Sequence, residues 1–311
     1  ERLVVDEPTV SMRFMGNTSP FSGQEGKYSQ TARLVERLQK EVLYNVAIQI
    51  DMGQGDDSIL VKGRGEFQMA VLIETIRREG YELCVGRPNV IFKEIEGKKS
   101  EPVEHLVIEC DDEHTGIVTE RLSKRKGRLL NMIPYGAGRK RLEFLISSRG
   151  LIGYRNQFLT DTKGTGLITA YLDGYEPYHG DMGSRVTGSL VADRDGQALA
   201  YALFNLEDRG RLLIVPGTKV YEGMIVGEHS RDNDLNVNVI KGKKLTNMRA
   251  AGKDEAVVLT PVSPLTLEQA IDFIKEDELI EVTPESIRLR KATLDPIQRR
   301  IEQKKDKPKK E

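Results

Sequence analysis

The chain has 311 residues, a hydrophobic fraction of 38%, a charged fraction of 31% and a formal net charge of −1 at pH 7. Its length predicts two or three domains, and its near-neutral balance excludes a uniformly basic nucleic-acid binder. Two isolated cysteines and the absence of any ~20-residue apolar run argue against a disulfide framework and a membrane span, and favour a reducing cytoplasm.

Residues 1–178 contain an internal repeat of about 85 residues. The string Glu-Arg-Leu at 36–38 recurs at 120–122, and Arg-Gly at 64–65 recurs at 149–150. Such a repeat predicts two copies of one supersecondary unit, provided that the hydrophobic periodicity around the matches agrees.

The first predicted domain, residues 1–97, has the periodicity of a βαββαβ unit. Leu34, Leu38 and Val42 recur on one helical face, and the segment 66–79 carries an apolar stripe at i, i+3, i+4 and i+7. Extended apolar runs predict strands at 10–14, 46–51, 58–62, 81–85 and 90–95. The polar segment 93–102 is predicted to be a linker.

The second predicted domain, residues 98–178, repeats that order. Helices are predicted at 116–126 and 151–159. Strands are predicted at 105–109, 128–134, 141–146 and 167–172. Both domains are therefore predicted to be ferredoxin-like sandwiches, the split βαβ arrangement.

The pattern of apolar residues and glycines changes after residue 178. Short extended runs separated by glycines predict a mainly-β, barrel-like domain over residues 179–295. Thr266, with Gln269 three residues later, forms a capping-box pattern that predicts one helix in this domain. The last segment, 296–311, is rich in Lys and Arg, and it is predicted to be a disordered basic tail. The predicted fold class is thus multi-domain α+β.

No catalytic or metal-binding pattern stands out in the sequence. The string nearest to a phosphate-binding GxxxxGK[ST] loop is Gly-Lys-Tyr-Ser at 26–29, which has Phe21 at the first glycine position and Tyr28 at the hydroxyl position. The four histidines lack metal-ligand spacing, and the acidic run 111–113 is typical of a solvated turn. We therefore predict no catalytic residue, no metal site and no cofactor in this chain.

Positive charge concentrates between residues 241 and 253, where five cations occur without an acidic residue. The segment can be interpreted as a solubilising surface loop or as an RNA contact, and its length together with the nearby asparagines favours RNA contact. The predicted RNA-binding residues of this region are Arg231, Asn233, Asn236, Asn238, Lys241, Lys243, Lys244, Asn247, Arg249 and Lys253.

A second basic cluster lies at the end of the first helix of the second predicted domain. Its predicted RNA-binding residues are Arg121, Lys124, Arg125, Lys126 and Arg128. Basic residues at a helix C-terminus also complement the helix dipole, so a structural role stays open beside RNA contact. The chain has no Trp and no visible aromatic platform, so we expect recognition of RNA backbone and shape rather than base stacking.

Three groups of motifs carry a resemblance to a known family. The first group is DEPTVSM, NTSPF and GRGE, at 6–12, 17–21 and 63–66. The second is SRGLIGYR at 148–155 with GTG at 164–166, and the third is LEDRG at 206–210 with the stretch 229–250. The first two groups resemble the third and fifth domains of translational GTPases related to elongation factor G. The third group resembles the C-terminal domain peculiar to the BipA (TypA) family, and the whole resemblance covers essentially the entire chain.

The resemblance implies a fragment of a bacterial, ribosome-associated GTPase linked to large-subunit assembly and stress-adapted translation. GTP hydrolysis, with its GTP and Mg²⁺, would belong to an upstream domain, and this chain would dock on RNA without being an enzyme itself. The implied partners are the ribosome, through large-subunit ribosomal RNA, and A-site transfer RNA, which the segment 233–253 would face. The protein is expected to be monomeric and cytoplasmic.

A function of another class is compatible with the same pattern. Paired ferredoxin-like domains also serve as sensors of small metabolites. The alternative is therefore a ligand-sensing regulatory protein with its site between the two domains.

Overall fold

A computed structural model of the chain describes residues 7–53, 57–136, 138–180, 182, 185–242 and 258–305. We call the parts before residue 93, from 93 to 178, and after 178 the first, second and third units. Within the described ranges, none of the helices combines the length and the apolar composition that a bilayer crossing requires.

The first unit is a βαββαβ sandwich, as predicted. Its elements are β1 (Val10–Gly16), α1 (Thr31–Tyr44), β2 (Gln49–Met52), β3 (Ile59–Gly63), α2 (Glu66–Arg78), β4 (Leu83–Val85) and the short β5 (Asn89–Val90). The strands pair antiparallel in the order β4-β1-β3-β2. The predicted apolar stripes are buried, with Leu34 and Leu38 on α1 and Met69 and Ile73 on α2. Burial of these stripes against the sheet holds both helices in place.

The second unit has the same topology around a separate sheet. Its elements are β6 (Lys93–Ile95), β7 (Lys98–Asp111), α3 (Thr115–Lys124), β8 (Arg128–Pro134), β9 (Arg139–Ser147), α4 (Ser148–Leu151), α5 (Tyr154–Asp161) and β10 (Leu167–Pro177). The sheet order is β10-β7-β9-β8, which repeats the order of the first sheet. Its core is its own, with Leu106, Phe144 and Phe158 at the centre.

The segment predicted to be a polar linker forms a hairpin of the second sheet. β6 pairs antiparallel with the start of β7, and Glu96 and Gly97 make the turn with φ of 51° and 72°. Two consecutive left-handed residues are the requirement of a tight hairpin turn that matches strand twist. The linker prediction for 93–102 is therefore wrong, and the boundary predicted at residue 97 falls at the turn of this hairpin.

The third unit is mainly β, as predicted. Its elements are β11 (Ser189–Ala192), β12 (Gly196–Gln197), α6 (Ala200–Phe204), β13 (Gly210–Leu212), β14 (Lys219–Val220), β15 (Met224–His229), β16 (Leu235–Val237), α7 (Leu267–Phe273), β17 (Glu278–Val282), β18 (Ile287–Lys291) and α8 (Pro296–Lys305). The predicted capping box is present, because Thr266 Oγ1 accepts from the Gln269 N–H and the Gln269 side chain accepts from the Thr266 N–H. The short α6 was not predicted.

The first and third units share one sheet and one core. β17 pairs with β4, which extends the first sheet into the path β16-β11-β15-β18-β17-β4-β1-β3-β2. Phe14 and Ile73 of the first unit lie in the same buried cluster as Ile225, Ile271 and Ile280 of the third unit. The mixed α+β class is therefore confirmed, with the first and third units joined as one body and the second unit attached to it.

The prediction of a disordered tail is wrong for residues 296–305, which form α8. Asp295 Oδ1 accepts from the N–H groups of Ile297 and Gln298, and Pro296 takes the first helical position. An acidic N-cap followed by proline is a favoured helix start. Residues 306–311 of the predicted tail lie outside the described residues.

Candidate nucleic-acid interface

The described members of the predicted RNA-binding set in the third unit lie on or beside β16, which is an edge strand of the large sheet; they are Arg231, Asn233, Asn236, Asn238 and Lys241. Arg231 and Lys241 flank this strand and are exposed. Neither residue forms an ion pair with another residue in the described part of the chain. Five further predicted residues, Lys243, Lys244, Asn247, Arg249 and Lys253, lie outside the described residues.

The asparagines of this region mostly hold local backbone and side chains. Asn238 Oδ1 accepts from the Ile240 N–H at 3.0 Å, and Asn233 Nδ2 donates to the Asp234 carbonyl at 3.3 Å. Asn236 is exposed, and its Oδ1 accepts from Arg299 at 2.9 Å. Part of the hydrogen-bonding capacity of these amides is therefore used by neighbouring groups of the chain itself.

Helix α8 lies beside β16 and adds cations that the sequence prediction missed. Arg299 is buried, and it donates to the carbonyls of Thr293 and Leu294 as well as to Asn236. Arg300 and Lys304 are exposed on the same helix. The Asp-Pro pair at 295–296 was the sequence signal for this helix, and the charged composition of the following residues concealed it.

The basic cluster of the second unit includes one arginine that points inward. Arg125 Nη1 donates to the carbonyls of Gly150 and Ile152 at 3.0 and 2.8 Å, and Nη2 donates to Gln157 at 3.3 Å. Burial lowers the pKa of this guanidinium. Arg125 therefore fixes the turn between α4 and α5, and most of its hydrogen-bonding capacity is used within the chain.

The other four cations of this cluster also have partners within the chain. Arg121 lies 3.6 Å from Asp161, Lys124 lies 2.6 Å from Glu120, and Arg128 pairs with Glu176. Lys126 Nζ donates to the His179 carbonyl at 2.7 Å. Lys124 and Arg128 remain exposed to solvent, but their charge is locally compensated.

The loop that leads into the Gly-Lys-Tyr-Ser string at 26–29, the nearest match to a phosphate-binding motif, already binds a carboxylate of the chain itself. The N–H groups of Gly23, Glu25 and Gly26 donate to the carboxylate of Glu82 at 2.7, 2.9 and 2.6 Å. Although burial opposes it, these donors hold the pKa of Glu82 below its usual value. Backbone N–H groups arranged in this way bind anions, and here the anion is a side chain.

Metal-ligating residues do not gather elsewhere in the described ranges. No group of three or more His, Cys, Asp or Glu side chains in those ranges is arranged to hold a metal ion. His105 stacks on Tyr171, with ring centroids 5.0 Å apart, and His229 Nδ1 lies 2.6 Å from the Asn233 carbonyl oxygen. The side chains of these two histidines are therefore engaged by other groups of the chain.

A polar junction joins the second unit to the rest of the molecule at the start of α5. Both carboxylate oxygens of Glu66, at the start of α2, accept from the Gly153 N–H at 3.0 and 2.9 Å. Asp272 on α7 accepts from Asn156 Nδ2 at 3.1 Å. Burial, followed by the nearby Asp272, raises the pKa of Glu66 to about 8, and burial raises the pKa of Asp272 to about 6.

Comparison with known proteins places the chain in a family. Residues 98–186 match the family described as "Elongation factor G C-terminus", and residues 187–296 match "TypA/BipA C-terminal domain". The chain is 54% identical over 293 residues to the large ribosomal subunit assembly factor BipA of Haemophilus influenzae, covering 94% of the chain and 48% of that protein. It is 52% identical over 299 residues to the protein of the same name in Escherichia coli K12, covering 96% and 49%.

A third relative matches at similar identity. The protein named large ribosomal subunit assembly factor BipA in Buchnera aphidicola is 50% identical over 293 residues, covering 94% of the chain and 48% of that protein. The chain thus spans about half the length of the curated relatives it matches. On these matches and on its paired ferredoxin-like units followed by a mainly-β unit, the chain belongs to the TypA/BipA family.

Proposed function

We propose that this chain docks a large-subunit assembly factor on ribosomal RNA. The proposal rests chiefly on one observation. The exposed cations around β16, Arg231 and Lys241, lack acidic partners among the described residues, in a family whose relatives are named large ribosomal subunit assembly factors. Cations that bind phosphates displace the counterions condensed on the RNA, and the release of those counterions supplies binding free energy.

The region around β16 is the leading RNA surface, ahead of the second-unit cluster. Arg121, Lys124 and Arg128 each have a carboxylate partner that RNA phosphates would have to displace. An ion pair exchanged for a phosphate contact yields less than a free cation does, because the released carboxylate must be solvated beside the RNA. The second-unit cations therefore contribute to orientation on the subunit more than to affinity. The proposed RNA partners are large-subunit ribosomal RNA and A-site transfer RNA.

The wider activity of the protein is also a proposal. GTP hydrolysis, with GTP and Mg²⁺, would reside in a part of the protein outside this chain, and the chain would couple that part to RNA. A loop whose N–H groups are taken by Glu82 supports placing nucleotide binding elsewhere. We further propose that the protein acts as a cytoplasmic monomer in stress-adapted translation.

Salt-dependent binding to purified large subunits tests the docking proposal. Arg231→Gln together with Lys241→Gln should weaken co-sedimentation and make the log–log salt dependence shallower by roughly 0.7–0.9 for each lost phosphate contact. The matched control is Arg33→Gln with Arg78→Gln, which removes two exposed helix cations of the first unit. An unchanged slope in the first variant, from folded protein, would reject the role of this surface.

The alternative, metabolite sensing, has one feature that bears on it. A cleft of about 1100 Å³ lies where the three units meet, large enough for a small ligand. Two of its arginines, Arg149 and Arg185, are held by the buried carboxylates of Glu101 and Glu278. Because those charges are matched internally, we favour RNA docking over ligand sensing. Calorimetry with amino acids and nucleotides distinguishes the two functions.

A further inference from the structure

We propose that α8 is a second RNA-contacting element, with Arg300 and Lys304 binding phosphates beside β16. The inference rests on the proposed docking function and adds a surface to it. The sequence pattern alone assigned this segment to a disordered tail, so its place on a defined surface comes from the fold.

The attachment of α8 gives its exposed residues fixed positions. Asp295 caps the helix through the N–H groups of Ile297 and Gln298. Arg299 is buried, bridges to Asn236 at 2.9 Å and donates to the Thr293 carbonyl at 3.1 Å. A capped and bridged helix presents its outer side chains at lower entropic cost than a disordered tail would.

The face opposite Arg299 is the one that meets solvent. At about 100° per residue, Arg300, Lys304, Ile297 and Ile301 fall on the side of the helix turned away from Arg299. The two isoleucines are 67% and 49% exposed. This outward face therefore combines two cations with apolar surface.

The two cations on this face have no acidic partner among the described residues. Helix α8 contains four cationic residues and one acidic residue, and that acid, Glu302, accepts from Thr293 Oγ1 at 2.8 Å. Within the described ranges neither Arg300 nor Lys304 forms an ion pair, unlike Arg121, Lys124 and Arg128 of the second unit.

The helix dipole accounts for only part of this arrangement. A cation in the last turn, such as Lys304, complements the partial negative charge of the helix C-terminus. Arg300 lies in the middle of the helix, where the dipole offers it little. An external polyanion explains the position of both residues, and RNA is the polyanion that the proposed function provides.

The test compares three variants of the full chain in co-sedimentation with large subunits over a salt series. Arg300→Gln with Lys304→Gln should reduce the log–log slope by about 1.4–1.8, since each phosphate contact accounts for roughly 0.7–0.9. Arg33→Gln with Arg78→Gln is the charge-matched control and should leave the slope unchanged. Ile297→Ser with Ile301→Ser probes the apolar half of the same face.

The possible outcomes separate the two proposals. If the unmodified chain does not bind large subunits, the docking function fails. If it binds and the Arg300/Lys304 variant behaves like the control, the role of α8 is rejected while docking stands. If only the isoleucine variant weakens binding, with an unchanged slope, the face contacts a protein and the RNA assignment is overturned. Circular dichroism showing unaltered folding of each variant completes the comparison.

Discussion

Two interfaces join the units of this chain, and they differ in chemistry. We call the one between the first and third units the apolar seam, and the polar junction between the second unit and the body that those two units form the polar seam. Between the first and third units, β4 and β17 are neighbouring strands of one sheet, and apolar side chains from both units fill one core. A polar network beside this seam centres on Glu281, which accepts from Asn17, Ser19 and Tyr221. Between the second unit and this body, the start of α5 is held by two carboxylates, Glu66 and Asp272.

The two interfaces should therefore differ in the free energy needed to open them. A shared sheet and core cannot open without exposing large apolar area, at a cost of about 25 cal/mol for each Å². In the described part of the chain, the second unit shares neither a sheet nor a core cluster with that body, and contacts it through hydrogen bonds to Glu66 and Asp272, the Arg155 guanidinium over the Phe67 ring, and Phe92 against Tyr178. Such contacts can open at lower cost than a shared core, because each hydrogen bond contributes only about 0.5–3 kcal/mol net. The surface around β16 therefore moves with the first unit, whereas the second unit is the part whose orientation can change.

The largest expected effect comes from the apolar seam. Ile280→Ala removes a fully buried side chain that pairs with Val85 across the seam, and should cost about 2–5 kcal/mol of unfolding free energy. Because the core is shared, the first and third units should lose protection together. Hydrogen exchange measured by mass spectrometry at moderate denaturant reports each unit separately.

The matched control for this prediction lies in the second core. Phe144→Ala also removes a fully buried side chain, but from the separate cluster of the second unit. It should expose the second unit and leave the shared core protected. Loss of protection confined to the third unit in the Ile280 variant would contradict a single first–third body.

An intermediate effect is expected from the polar seam. Gly153 has φ 75°, and a Cβ there would lie 2.9 Å from Asp272 Oδ1. Gly153→Ala therefore adds a steric clash to the cost of a left-handed residue, which is about 1–2 kcal/mol by itself. The junction at Gly153 should open and the orientation of the second unit should become less fixed, which lowers energy transfer between dyes at Gln39→Cys and Ser123→Cys.

A second glycine separates the effect of the steric clash with Asp272 from the conformational cost of a left-handed alanine. Gly164 has φ 79°, and no described atom lies within 4 Å of the point that a Cβ would occupy there. Gly164→Ala carries the same left-handed strain within the second unit but leaves the junction intact. Equal loss of energy transfer in both variants would show that the Asp272 contact does not hold the second unit.

The local architecture was predictable from the sequence, and the long-range pairing was not. The stripe of Met69 and Ile73 reflects a helical repeat of a few residues, so periodicity alone predicts α2. The pairing of Ile280 with Val85 joins residues almost two hundred positions apart, and an alternating strand does not specify its partner. The shared sheet could therefore be found only from the structure.

The candidate site shows the same division. The sequence assigned Arg231 and Lys241 to RNA contact, and both are exposed without acidic partners among the described residues. The sequence also assigned Arg125 to RNA contact. Its guanidinium instead donates to the carbonyls of Gly150 and Ile152, which are brought to it only by folding. Ion pairing depends on residues brought together by folding, so charge counting overstates the second-unit cluster.

The remaining prediction concerns the pH dependence of the polar seam. Burial holds the pKa of Glu66 at about 8, against an ordinary value of 4.5, so the docked state favours the protonated carboxyl. Its contribution to docking is fully present below pH 4.5 and is lost as the pH rises through about 8. Burial raises the pKa of Asp272 to about 6, so this carboxyl contributes a pH dependence of the same sign. The charge of Arg125 lowers the pKa of Glu66, whereas the charge of Glu104 raises it. Energy transfer between the two dyes should therefore fall as the pH rises from about 4.5 to about 8.

Substitution of the carboxyl separates Glu66 from the rest of the chain. Glu66→Gln keeps an oxygen that accepts from the Gly153 N–H but cannot ionise, so the pH dependence should flatten and docking at about pH 8.5 should strengthen. Glu36→Gln, an exposed carboxyl of α1 paired with Arg33, is the control and should leave the pH profile unchanged. A profile in Glu66→Gln as steep as that of the unmodified chain would mean that another group governs the seam, and Asp272→Asn would then identify whether it is the second carboxylate of the junction.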